Sequence, residues 1–188
     1  MRWIASFRYI DDIPVDRARE RFTLNYRFRD DLQAGIEWNP LDDDWGPLVN
    51  WTAWGETEQR PAFMLGTSSD RIGTEHGQAY YGTLSKNLGP WIDLPLSPYA
   101  GLSYSDFEND WNFVGGLHYS LFHQHLSVTH LWDGENLHLT LDVPWKRSVI
   151  GLVLVQQEDP DVNEGKDYYL GVSFGIRLPE KPWDLGGD

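Results

Sequence analysis

The chain has no cysteine, which excludes a disulfide framework, a thiolate zinc site and a thiol nucleophile. It has no run of 18 apolar residues, so a transmembrane helix is not available to it. No stretch sustains a helical period of apolar residues, which removes helical bundles from consideration. Lysine is scarce, at four in 188 residues, and the net charge of −14 argues against nucleic acid as a partner. No Gly-rich phosphate loop follows a strand pattern and opens a helix. The N-terminal "MRWIASFRYI" does not read as a signal peptide, because Arg and Ser interrupt its apolar residues and no small-residue cleavage site follows.

What the chain has is alternation. In "DYYLGVSFGIRL" (167–178), Tyr168, Leu170, Val172, Phe174, Ile176 and Leu178 fall on one face, against Tyr169, Gly171, Ser173, Gly175 and Arg177. Side chains alternate sides along a strand, so this is a strand with one apolar and one small or polar face. The same pattern recurs in "RFTLNYRFR", "LQAGIEWN", "NFVGGLHYSL" and "NLHLTLDVPW". The spacing predicts about twelve strands, near 2–10, 20–29, 31–39, 48–56, 60–68, 77–86, 98–105, 111–121, 124–131, 136–144, 147–156 and 167–178. "SVIGLVLVQQ" is apolar on both faces over its middle. The length suits one domain over 1–178, followed by a tail at 179–188.

Three features bear on where the apolar faces point. The small faces carry Gly35, Gly116, Gly171 and Gly175, poor strand formers in water but suited to a crowded, wet barrel interior. Short links such as "DD" and "TEQ" alternate with long ones such as "DDIPVDRARE" and "SSDRIGTEHG", the length contrast of an outer-membrane barrel, though "NLGPWIDLPLSP" breaks it. Of 29 acidic residues, 19 sit in the odd-to-even connections, which share one end of such a barrel. Trp3, Tyr9, Phe28, Trp38, Trp132, Trp145 and Tyr168 fall near strand ends, where interfacial aromatic girdles belong. The expected fold class is therefore all-β: a closed antiparallel up-and-down transmembrane barrel of the bacterial outer membrane. Its surroundings would be a lipid bilayer with lipopolysaccharide. A soluble sandwich or lipocalin-like barrel with aromatics in its core is the alternative.

"YLGVSFGI" resembles the last-strand signature by which outer-membrane proteins address their assembly machinery, with Tyr169, Gly171 and Phe174 in place and Ile176 standing where the signature ends in an aromatic residue. "RPAFMLGTSSDRIGTEHGQAYYGTLSKNL", "GGLHYSLF" and "DGENLHLTL" are similar to successive hairpins of the YjbH-like outer-membrane barrels, a group associated with exopolysaccharide production. That resemblance implies a barrel in the cell envelope and a saccharide-related role.

Chemistry has few candidates. His118 and Ser120 lie two apart on one strand face, a pair that resembles the His-x-Ser of outer-membrane lipid A deacylases, with Asp133 or Glu135 to supply the acid. "HQH" at 123–125 could contribute to a transition-metal site, and "LDDD" or "EDPDVNEG" to a calcium site, but a polar turn and solvated acidic loops account for all three. No metal or cofactor is expected. In the lumen, alternation places Arg2, Arg8, Arg21, Arg27, Arg29 and Arg177 on one wall, with Glu37, His138 and Asp142 elsewhere around it. The reading is a narrow channel or envelope-assembly component, with small anions or saccharides as solutes. Its alternatives are a lipid-modifying enzyme and a non-conducting barrel that docks a partner.

Overall fold

Alternating apolar and small or polar side chains give each segment a strand with two unlike faces, and the strands close on themselves. The computed structural model describes residues 2–122, 125–158 and 165–179. Its strands are β1 (Trp3–Ile10), β2 (Glu20–Arg29), β3 (Leu32–Asn39), β4 (Asp44–Trp54), β5 (Ala62–Ser69), β6 (Gln78–Ser85), β7 (Leu96–Ser105), β8 (Asp110–Leu121), β9 (Leu126–Trp132), β10 (Leu137–Trp145), β11 (Ser148–Glu158) and β12 (Lys166–Leu178). Two single helical turns, α1 (Asp16–Arg19) and α2 (Gly89–Ile92), sit in connections. Every strand pairs antiparallel with its chain neighbours, and β1 closes on β12 with Trp3 opposite Leu178 and Ile10 opposite Gly171. The result is a closed twelve-stranded barrel without an exposed edge.

The faces are inverted relative to a barrel with an apolar core. The interior is mostly polar: Asn25, Glu37, Asn39, Thr83, Ser105 and His138 are buried. Large apolar side chains point away from the lumen, including Trp45 at 58% exposure, Phe113 at 59%, Trp145 at 62% and Leu170 at 59%. Aromatic contacts run along this outer surface from strand to strand. Phe22 meets Trp38 at 5.6 Å, and Trp38 stacks on Trp45 at 5.4 Å. Inside, glycine makes room for rings. A Cβ at Gly66 would lie 2.5 Å from the Tyr81 ring, and one at Gly116 would lie 2.7 Å from the Tyr99 ring. Each tyrosine thus lies across a glycine of the neighbouring strand.

Among the described residues, the buried apolar cluster inside the barrel sits at one end. Residues 11–19, including α1, fold inward, and Ile13 and Ala18 are buried against Ile10, Val153 and Val155. This accounts for the two-sided apolarity of β11: Leu152 faces out, while Val153 and Val155 meet the inward-folded segment. The segment is pinned by Arg17, whose guanidinium donates to the carbonyls of Thr74 (2.8 Å) and Arg71 (2.9 Å) and to the Thr74 hydroxyl (2.5 Å). It caps the lumen at the end where β1 leaves for β2.

Two sequence expectations change. The contrast between short and long links fails, because β4 begins at Asp44 rather than near 48, leaving only 40–43 as a loop. Trp45 and Pro47 extend the strand by pairing with Trp38 and Ile36. The links at 55–61 and 86–95, on the supposedly short side, are longer than 106–109 and 133–136 on the other. The ends differ in charge instead. Asp11, Asp12, Asp42, Asp43, Glu75 and Asp106 mark the capped end, whereas Arg2, Arg27, Arg60, Lys86, Arg147 and Arg177 lie at or beside the opposite rim. The second change is a bulge in β2 between Arg27 and Arg29, which breaks the alternation there. Residues 180–188 of the tail lie outside the described residues.

Candidate functional site

Because the inward faces carry small and polar residues, the lumen keeps a cavity of about 620 Å³ under the cap. Its roof is Arg17 and Ala18 of the cap, with Asp70, Arg71 and Asp133 from the neighbouring loops. One wall holds Arg8 of β1 and Arg21 of β2, which occupy facing positions in the strand pair. Across the lumen stand Tyr81 and Thr83 of β6 and Ser97, Tyr99 and Ser103 of β7. His118 and His138 complete the lining, and Ser85, the last residue of β6, carries the cavity to the uncapped rim.

The charged groups near the roof are mostly spoken for. Glu37, fully buried, pairs with Arg21 and accepts from the Asn39 amide at 3.1 Å. Arg71 bridges Glu108 and Glu135, tying three loops together. Burial works against the charged Arg71 guanidinium, but the two carboxylates outweigh it and raise its pKa. Glu108 is held below the ordinary carboxylate range, chiefly by its hydrogen bond from Arg71. Asp133 accepts from the amides of Glu135 and Asn136 and meets His138 Nε2 at 2.8 Å. Burial would raise its carboxyl, yet these hydrogen bonds prevail and hold it low. The Gln156 amide donates to His138 Nδ1, so Nε2 bears the proton given to Asp133. Arg17 has its pKa lowered by burial, and its guanidinium bonds to carbonyls and a hydroxyl rather than to a carboxylate. Asp70 accepts from the Ser105 hydroxyl and the Arg71 amide.

Of the residues singled out from sequence as site candidates, Arg8, Arg21, His118, Asp133 and His138 line this cavity. Glu37 sits behind Arg21, and Asp142 takes a 3.3 Å hydrogen bond from Thr140. Arg2, Arg27 and Arg177 are exposed near the uncapped rim, away from Arg8 and Arg21. Arg29 leaves the expected wall, because the β2 bulge turns it outward to pair with Asp31 at 3.0 Å. The supposed arginine wall is thus divided into a buried pair and a rim group.

The hydrolase candidates meet only in part. Ser120 Oγ lies 3.3 Å from His118 Nε2, while His118 Nδ1 meets the Thr129 hydroxyl at 2.9 Å. The acids proposed to orient the histidine are engaged elsewhere, Asp133 by His138 and Glu135 by Arg71. A neutral hydroxyl in the acid's place does not stabilise an imidazolium as a carboxylate does. Among the described residues no three metal-ligating side chains converge. His125 is exposed, while His123, Gln124 and most of "EDPDVNEG" (159–164) lie outside the described residues. Asp42 and Asp43 are exposed in their loop.

The sequence reading missed Arg17, Arg71, Tyr81 and Tyr99. Arg17 and Arg71 sit in connections, where alternation says nothing about direction. The available hint was the apolar trio Ile13, Val15 and Ala18 inside an otherwise charged link, opposite a strand apolar on both faces. Comparison with protein-family models, with curated proteins and with solved structures finds no match for this chain.

Proposed function

We propose that this chain is a membrane-spanning barrel of the bacterial outer-membrane type and that its lumen passes small anionic solutes. The observation that carries the reading is the inversion of faces: a continuous outer belt of large apolar side chains around a polar, partly hollow interior. A soluble barrel would bury those side chains, because exposing each to water forgoes roughly 1.5–3 kcal/mol. Outer-membrane barrels have this apolar-out, polar-in alternation with aromatic girdles. Here Trp45 and Trp111 lie toward the capped end, and Trp3 and Trp145 toward the other. On this reading lipid and lipopolysaccharide surround the belt, and the last-strand signature recruits the assembly machinery. The similarity to YjbH-like barrels makes acidic saccharides the natural solutes.

Arg8 and Arg21 favour anions, since a low-dielectric lumen strengthens their field. Planar-bilayer recordings in a salt gradient test the reading. The expected reversal potential has the sign of anion selectivity, weakened in Arg8→Ser. A cation-selective current would refute it. The cap supports a second reading, a sealed barrel that docks a partner through its loops, and a complete absence of current in a folded, inserted protein would favour that one.

A further inference from the structure

Among the described residues, the Arg8 guanidinium lines the cavity with most of its hydrogen-bonding capacity unused. Its Nη2 reaches only the Ala18 carbonyl, at 3.5 Å, and its Nε is buried with no partner among the described residues. Arg21, facing it on β2, spends Nη2 on Glu37, and its Nε is likewise buried and unpartnered. Among the described residues, no carboxylate hydrogen-bonds to Arg8. Glu37 is bound by Arg21 and Asn39, and Asp70 by Ser105 and Arg71. A buried charge without a partner is costly, and a guanidinium pair is well suited to a carboxylate.

The opposite wall offers hydroxyl groups. β7 lies diametrically across the closed barrel from β1. Tyr99, Ser97 and Ser103 of β7, with Ser85 of β6, line the same cavity. Hydroxyl groups on one side and the Arg8 guanidinium, bound by no carboxylate among the described residues, on the other suit a ligand that is anionic at one end and hydroxylated at the other. A volume of about 620 Å³ admits a small organic molecule.

We infer that the lumen cavity is a binding site for a small polyhydroxylated carboxylic acid, such as a sugar acid, with Arg8 and Arg21 taking the carboxylate and the β6–β7 hydroxyls its hydroxyl groups. This rests on the anionic-solute reading above and specifies its site and ligand class, but binding does not require conduction.

Calorimetric titration of the full chain in detergent micelles tests it, with D-glucuronate, D-glucose, acetate and inorganic phosphate as probes. D-glucuronate is expected to bind at least tenfold more tightly than each of the others. Arg8→Gln should weaken it at least tenfold, Tyr99→Phe should weaken it less, and Arg60→Gln at the rim should leave it unchanged. Thermal melting of Arg8→Gln guards against misfolding, and its midpoint should match or exceed that of the parent. Undetectable glucuronate binding overturns the inference. So does equal affinity for acetate or phosphate, or unchanged binding in Arg8→Gln. Glucuronate binding without any current would keep the site and remove the channel, whereas anion current without binding would do the reverse.

Discussion

At the scale of single residues, each strand position has a direction, and direction sets the cost of change. Leu139 lies on the outer face of β10, and Thr140, one residue on, faces the lumen opposite Thr129 and Val153. Leu139→Arg should therefore cost roughly 2–4 kcal/mol and Thr140→Arg far less, as measured by urea titration of protein folded into vesicles. Equal costs would mean the faces are misassigned. Asp133 supplies a pH-dependent element. Its folded carboxyl titrates below its unfolded value, so its contribution is complete above the ordinary carboxylate range near pH 4 and is lost as pH falls through the depressed folded value. Asp133→Asn should lower the melting midpoint at pH 7, and the gap from the parent should shrink steadily below pH 4. A gap independent of pH would contradict this. Arg8 and Arg21 were legible from alternation because they sit in unbroken strand. Arg29 was not, because a bulge is a local slip in pairing that leaves no mark on the apolar pattern.

At the scale of elements, the strands were legible and the connections were not. Alternation extends over many residues and is enforced by every cross-strand pair, so ranges such as 20–29 and 111–121 survive almost unchanged in β2 and β8. The start of β4 is not legible because Gly46 and Pro47 read as turn residues, although on the strand Gly46 faces the crowded lumen and Pro47 the outside. The cap was invisible for another reason. An acidic link reads as solvated, and only tertiary contact with Val153 and Val155 draws Ile13 and Ala18 inside. Replacing residues 13–18 with a Gly–Ser linker should leave the barrel folded, since strand pairing does not depend on it. The replacement should also raise unit conductance by opening the roof of the cavity. Unchanged conductance, with the folded state verified, would show that the cap does not limit passage.

At the scale of the whole molecule, two asymmetries define the protein. Radially, polar residues fill the inside and apolar ones clothe the outside. Axially, carboxylates outnumber cationic residues at the capped end, whereas at the other rim arginines and lysines outnumber Asp30, Asp31, Glu56, Glu58 and Asp93. The radial asymmetry is what the proposal of a lipid surround rests on. Diluting the urea-unfolded chain into phospholipid vesicles or into buffer alone, then comparing unboiled with boiled samples by gel electrophoresis, tests it most directly. A shifted, heat-sensitive folded band is expected only when vesicles are present, with aggregation in buffer. A soluble, monodisperse, folded monomer in buffer without lipid or detergent would contradict it.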